Sequence, residues 1–140
     1  MFYLKQRKIF FFAEKLPILP PAGGVVREIF REYVIGVAGK KCAVFGQGIL
    51  VGVPIGRWLT SQGGVVSMID EYTPNPRTLS VEADFVISGV GKSGLITEDM
   101  VKETAIIIDF GPDVDFEAGK QKASLITPPI GGVGPIVVAV

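Results

Sequence analysis

Apolar and polar residues fall along this chain in blocks, and the spacing within each block predicts an element. Val25, Val26, Ile29, Phe30 and Tyr33 recur at helical spacing, with Arg27, Glu28, Arg31 and Glu32 on the other face and Gly36 placed as a stop. A helix over about residues 22–35 follows. Lys40-Lys41-Cys42-Ala43-Val44-Phe45 reads as a short buried strand led in by a polar edge. Residues 51–62 carry a second helical pattern, with Ile55, Trp58 and Leu59 on one side and Pro54 in the first turn, where a missing N–H does no harm. Val65-Val66-Ser67-Met68-Ile69 is a second strand ending at Asp70-Glu71, and Tyr72-Thr73-Pro74-Asn75-Pro76-Arg77 is turn-rich and polar. Residues 84–90, 105–109 and 124–127 read as three further strands, and Thr97 with Glu98 and Asp99 behind it as a helix start. Runs of β-branched residues without polar alternation mean strands covered on both faces, hence a parallel sheet.

One junction in this pattern carries chemistry. In Val44-Phe45-Gly46-Gln47-Gly48-Ile49-Leu50-Val51-Gly52-Val53-Pro54, glycines sit where an apolar strand turns into a helix. Gly46 would let the chain turn tightly, Gly48 would let the backbone approach a pyrophosphate without a Cβ in the way, and Gly52 would let the helix pack closely. The helix N-terminus then faces an anion. The spacing is one residue longer than the commonest fingerprint, and such a run alone often means only a turn. The strand after it ends at Asp70, close to the roughly 20-residue interval at which an acid takes the ribose hydroxyls of a dinucleotide. An α/β, three-layer Rossmann-like domain with a mainly parallel sheet is therefore expected over residues 22–140, after an apolar lead-in over residues 1–21 that closes in the proline-rich Leu16-Pro17-Ile18-Leu19-Pro20-Pro21. Ligands of such sheets lie outside the carboxyl ends of the strands, which collects Gly46 to Gly48, Asp70, Gly89 to Lys92, Phe110-Gly111 and the last glycine cluster on one rim.

Composition narrows the chemistry. With 140 residues and 48% apolar content, a single core is expected. Acidic and basic residues balance at 14 each, which leaves no basic stripe for nucleic acid. The chain has no histidine, so histidine bases, Ser-His-Asp triads and histidine-bound zinc are excluded. The lone Cys42 reads as a small buried hydrophobe. The apolar run Ile9-Phe10-Phe11-Phe12-Ala13 is far short of the roughly 20 residues a membrane span needs, so a cytoplasmic protein without a membrane partner is expected.

Four separated segments then share a signature: Gly46-Gln47-Gly48-Ile49-Leu50-Val51-Gly52-Val53-Pro54, Val90-Gly91-Lys92-Ser93-Gly94-Leu95-Ile96, Asp113-Val114-Asp115-Phe116, and Thr127-Pro128-Pro129-Ile130-Gly131-Gly132-Val133-Gly134-Pro135. They are similar, in order, to the G-R-S-x-I-V-G-x-P, V-G-K-P-x-x-I, D-V-D-F and T-P-V-P-G-G-V-G-P segments of the bifunctional methylenetetrahydrofolate dehydrogenase/cyclohydrolase family. From about Pro20 onward the chain resembles that family's nucleotide-binding domain. The resemblance implies hydride transfer from 5,10-methylenetetrahydrofolate to a nicotinamide, with ring hydrolysis at the same active site. It also implies a preceding folate-binding domain whose Y-x-x-x-K lysine does acid–base work. Here Tyr3 is followed at that spacing by Arg7, which does not give up a proton at ordinary pH, and neither Tyr33 nor Tyr72 has a lysine there. No catalytic residue is assigned, and the chain alone is expected to be inactive. The stretch after Gly111 is also shorter than in the family.

The cofactor loop departs as well. The family's arginine after the first glycine is Gln47, and its histidine-serine pair is replaced by Asp70-Glu71. In NADP-using members that arginine and serine are associated with the 2′-phosphate, whereas carboxylates repel it and accept from a free 2′-hydroxyl. NAD in preference to NADP is the expectation, against the alternative that Asp70 and Glu71 merely end the strand in solvent. Cofactor contacts are assigned to Gly46, Gln47, Gly48, Gly52, Asp70, Glu71, Gly91 and Lys92, and substrate contacts to Ile130, Gly131, Gly132, Val133 and Gly134. Apolar residues at both ends, Phe2, Tyr3 and Ile9 to Phe12, then Ile136 to Val138 and Val140, suggest cover by a second copy or by a folate-binding chain. The rival reading is a non-catalytic nucleotide-binding or interaction module, in which Lys92 is a solvated charge.

Overall fold

The computed structural model describes residues 21–46 and 51–127. Strands β1 (Lys41–Phe45), β2 (Val65–Ile69), β3 (Phe85–Ser88), β4 (Ile106–Asp109) and β5 (Leu125–Ile126) form one sheet in the order β2-β1-β3-β4-β5. Every pairing is parallel. Helices α1 (Pro21–Glu32), α2 (Gly52–Ser61), α3 (Pro76–Ser80) and α4 (Phe116–Lys122) connect or flank them.

The unbroken apolar runs have a direct structural cause. Along β1, Cys42 and Val44 join one buried cluster with Ile29, Phe30, Ile55 and Leu59 of α1 and α2, while Ala43 and Phe45 join a second on the opposite face with Ile96, Val101 and Val114. In β3, Phe85 and Ile87 go to the first cluster and Val86 to the second; β4 and β5 divide in the same way. Each strand side chain thus meets a layer, as a three-layer α/β fold demands. The exception is β2, an edge strand, whose Val65 and Met68 are 58% and 36% exposed. The expectation that all strands are covered on both faces fails there because β2 is the sheet's edge among the described residues and α2 covers it only in part.

Element boundaries correct the sequence reading in four places. Helix α1 stops at Glu32, before the Gly36 expected to end it. Val34 takes the left-handed conformation (φ 54°), Ile35 N donates to Phe30 O and Val34 N to Arg31 O, so a Schellman-type cap forms without glycine. Glu28, assigned to the polar face, is only 5% exposed and is paired with Arg31 at 2.7 Å. A short helix, α3, replaces the end of the expected polar turn, while the start read at Thr97 gives only a 3-10 turn, Glu98–Met100. Helix α4 has no counterpart in the sequence reading; Asp115 caps it, accepting from Glu117 N and Ala118 N.

Register brings the strand ends together. Phe45 lies beside Ile69 and Ser88, and Ser88 beside Asp109, so β1 to β4 finish on one rim.

Candidate functional site

On that rim the chain leaves β1 through Gly46, whose φ of 99° is open to glycine and strained for other residues. Its N–H donates to Ile69 O at 2.8 Å, and a Cβ would come within 3.2 Å of Val90 Cγ2. Gly46 therefore makes the tight turn expected of it. Gln47 and Gly48 lie outside the described residues. The chain reappears at Val51, and α2 begins at the buried Gly52 with no side-chain cap and no acidic residue in its first turn. Its leading N–H groups are thus left without a side-chain anion among the described residues. One glycine that admits this helix start is Gly89, where a Cβ would lie 2.5 Å from Val51 Cγ1. The sequence reading places Gly89 on the rim and expects close packing at Gly52.

At the end of β2, Asp70 folds the chain back on itself. Its Oδ1 accepts from Tyr72 N at 2.9 Å and Thr73 Oγ1 at 3.1 Å, while Asp70 N donates to Thr73 Oγ1. The carboxylate is exposed, with Glu71 exposed beside it. Both line a cleft of about 600 Å³ that Phe45, Ile69, Thr73, Arg77, Val90 and Lys92 also border. Asp70, Glu71 and Lys92, predicted from separate segments, are therefore neighbours in space. Arg77, which the sequence reading left in a polar turn, joins them; its guanidinium Nε lies 3.0 Å from Asp99 Oδ2.

The loop that carries Val90 and Lys92 is held by a residue left without a role in the sequence reading. Asp113 is fully buried and accepts from Val90 N at 2.8 Å, Gly91 N at 2.9 Å, Lys92 N at 2.8 Å and the Ser88 hydroxyl. Consecutive N–H groups of this kind, with Gly91 at φ 84°, form a concave anion site. The chain's own carboxylate fills it. What Gly91 and Lys92 offer a ligand is consequently their outer surface and the Lys92 side chain. Beneath them Asp109, 5% exposed, accepts from Gly111 N and Val114 N, and its own N–H donates to Thr127 Oγ1. Burial pushes its carboxyl up to about 7 against these hydrogen bonds, with the Asp113 charge adding to the rise. Asp113 and Asp115 stood in the D-V-D-F segment, so the signal was present as a motif without a mechanism.

Cys42 is buried, its thiol pushed up to about 12 by desolvation, as befits an inert core residue. Among the described residues no group of acidic or cysteine side chains is placed to hold a metal, and no helix is long and apolar enough to cross a membrane. Ile130, Gly131, Gly132, Val133 and Gly134 lie outside the described residues.

Comparison with known proteins fits this geometry. The family model for the tetrahydrofolate dehydrogenase/cyclohydrolase, NAD(P)-binding domain matches residues 20–140. The bifunctional protein FolD of Fusobacterium nucleatum is 43% identical over 128 residues, which are 85% of this chain and 44% of that protein. The bifunctional FolD enzyme of Campylobacter jejuni, a methylenetetrahydrofolate dehydrogenase/cyclohydrolase, superposes with a TM-score of 0.76 at 34% identity, over 84% of this chain and 45% of that one. The Trypanosoma brucei methylenetetrahydrofolate dehydrogenase-cyclohydrolase, solved with NADP cofactor and inhibitor, gives 0.78 at 29% identity, over 86% and 46%. The chain spans less than half the length of these relatives. Glycine turn, acidic strand end and aspartate-latched loop thus stand on the NAD(P)-binding domain of the tetrahydrofolate dehydrogenase/cyclohydrolase family, to which this chain belongs.

Proposed function

We propose that the cleft at the carboxyl rim holds nicotinamide-adenine dinucleotide, NAD in preference to NADP, and that the chain supplies the cofactor half of a one-carbon folate oxidoreductase. The observation that carries the reading is the convergence of three strand ends on one cleft: Phe45 leading to Gly46, Ile69 leading to Asp70 and Glu71, and Val90 leading to Gly91 and Lys92. In this reading Gly46, Gln47, Gly48 and the start of α2 at Gly52 take the pyrophosphate, whose charge the uncapped N–H groups favour. Asp70 and Glu71 take the adenosine ribose. Gly91 and Lys92 border the nicotinamide, and Ile130 to Gly134 the pterin. The residues present fit the group on the adenosine side, since Asp70 still has Oδ2 to offer once Oδ1 is used by its own turn. Bound nicotinamide would accept a hydride from the methylene carbon of the folate. The chain's own contribution is to orient the dinucleotide and keep its phosphates at the helix start.

Calorimetric titration tests the preference. NAD is expected to bind at least about tenfold tighter than NADP, a difference of about 1.4 kcal/mol. Asp70→Ser, which keeps an acceptor for the turn, should narrow the gap; equal affinities in the unaltered chain would refute the assignment. One observation favours the rival reading of a non-catalytic nucleotide-binding module. Lys92 is the cleft's lysine, and it is an exposed loop residue without the burial that tunes a proton donor. Both readings predict no dehydrogenase turnover by the chain alone with methylenetetrahydrofolate and NAD; they part when a folate-binding chain is added, where turnover supports the first. Association with such a chain or with a second copy, and a cytoplasmic location, belong to the same proposal. The terminal apolar residues behind it lie outside the described residues, and a clean monomer in sedimentation at micromolar concentration would reject the second copy.

A further inference from the structure

Among the described residues two cations, Lys92 and Arg77, line the cleft together with the acidic strand end, Asp70 and Glu71. An arginine beside the ribose site is the usual means of binding a 2′-phosphate. Its presence runs against an NAD preference unless its charge is committed elsewhere. It is committed to Asp99: Arg77 Nε lies 3.0 Å from Asp99 Oδ2 and donates to the Asp99 backbone carbonyl at 3.3 Å. Asp99 is itself fixed, because Thr97 Oγ1 donates to its Oδ1 and the 3-10 turn Glu98–Met100 sets its backbone. Contacts between α3 and that turn join the two residues across one edge of the cleft.

We propose that Asp99 is a specificity-determining residue, which holds the Arg77 guanidinium away from the ribose 2′ position and so denies NADP the counter-charge it needs. This inference rests on the dinucleotide reading of the cleft. Asp70 and Glu71 repel the 2′-phosphate directly, and Asp99 removes the cation that would offset them. Both partners are solvent-exposed, 64% for Arg77 and 61% for Asp99, so the pair contributes little to folding and is free to act on ligand choice. Arg77 is also long enough to swing, since its other fixed point is a single backbone carbonyl.

The test titrates NAD and NADP into the full chain, into Asp99→Asn and into the double variant Arg77→Gln/Asp99→Asn. Asp99→Asn keeps the acceptor for Thr97 and removes only the charge. It should tighten NADP at least about fivefold while NAD stays within about twofold, and the double variant should return NADP to its original affinity. NADP unmoved by Asp99→Asn, or tightened equally in the double variant, overturns the proposal while NAD binding still stands. Failure of the unaltered chain to bind either nucleotide overturns the dinucleotide site itself, and this inference with it.

Discussion

Replacing Asp109 with asparagine should remove most of the pH dependence of stability between about pH 5 and pH 8. Asp109 ends β4 with 5% exposure, and desolvation raises its carboxyl from 3.8 to about 7, although Gly111 N at 3.0 Å and Val114 N at 2.8 Å favour the charged form. At about 1.36 kcal/mol per pKa unit, that displacement corresponds to about 4 kcal/mol. Because the folded value lies above the unfolded one, the contribution is fully present below about pH 4 and is lost as pH rises through about 7. Over the interval from pH 5 to pH 8 stability should therefore fall by up to about 3 kcal/mol. The other shifted groups titrate outside it. The Asp84 carboxyl is held low by its hydrogen bond from Lys102, the Asp99 carboxyl by that from Thr97, and the Cys42 thiol is pushed up to about 12.

Urea unfolding at several pH values, followed through Trp58 where it packs edge-on against Phe30, measures the effect. In Asp109→Asn one N–H meets an amide nitrogen in place of a carboxyl oxygen, which should cost about 1 to 3 kcal/mol at pH 5. The variant's stability should then stay level while that of the unaltered protein declines toward it. Two parallel curves would show that the buried carboxyl is not the titrating group.

Three further outcomes follow from the same rim. Asp113→Ala strips the acceptor from four donors and should cost at least about 3 kcal/mol, whereas Ser88→Ala, which deletes one donor, should cost about half that or less; equal losses in thermal unfolding would contradict the latch. Gly89→Ala forces a Cβ to within 2.5 Å of Val51 Cγ1 and should cost about 1 to 3 kcal/mol, with Val51→Ala restoring part of it in a double-mutant cycle. Asp115→Ala should cost about 1 kcal/mol through loss of the α4 cap, and Asp115→Ser much less; identical melting curves for the two variants would deny the cap its role.

What the sequence made legible was what repeats locally. Strand runs are visible because, beyond the exposed Lys41, the side chains of β1, β3 and β4 are buried or half-buried on both faces, so polarity does not alternate. The glycine turn and the acidic end of β2 are legible because they fall within one βαβ unit, at the spacing expected of a dinucleotide site. The misreadings have the opposite character. Glu28 sits at a surface position by period yet is buried and paired with Arg31, and Val34 ends α1 in a conformation that its side chain disfavours. Helix α4 is seven residues long with Gly119 in its interior, where a Cβ would lie 3.0 Å from Ile126 Cδ1; tertiary packing overrides propensity there.

The site's second half was hidden because it depends on contacts far apart in the chain. Asp113 reaches Ser88 and residues 90 to 92 across more than twenty positions, a separation that leaves no periodic trace. Yet this contact governs how charge is arranged on the rim. Consecutive N–H groups at the end of β3 would attract a phosphate, and the buried carboxylate of Asp113 occupies them. At the end of β2, Asp70 and Glu71 repel a phosphate. At β1, by contrast, α2 begins without a capping side chain or an acidic first turn. On the proposed reading, Asp113 at the end of β3 and Asp70 with Glu71 at the end of β2 would direct a dinucleotide's pyrophosphate to the glycine turn. An Asp113→Asn chain, with that internal anion neutralised, is where competition for the phosphates should first appear.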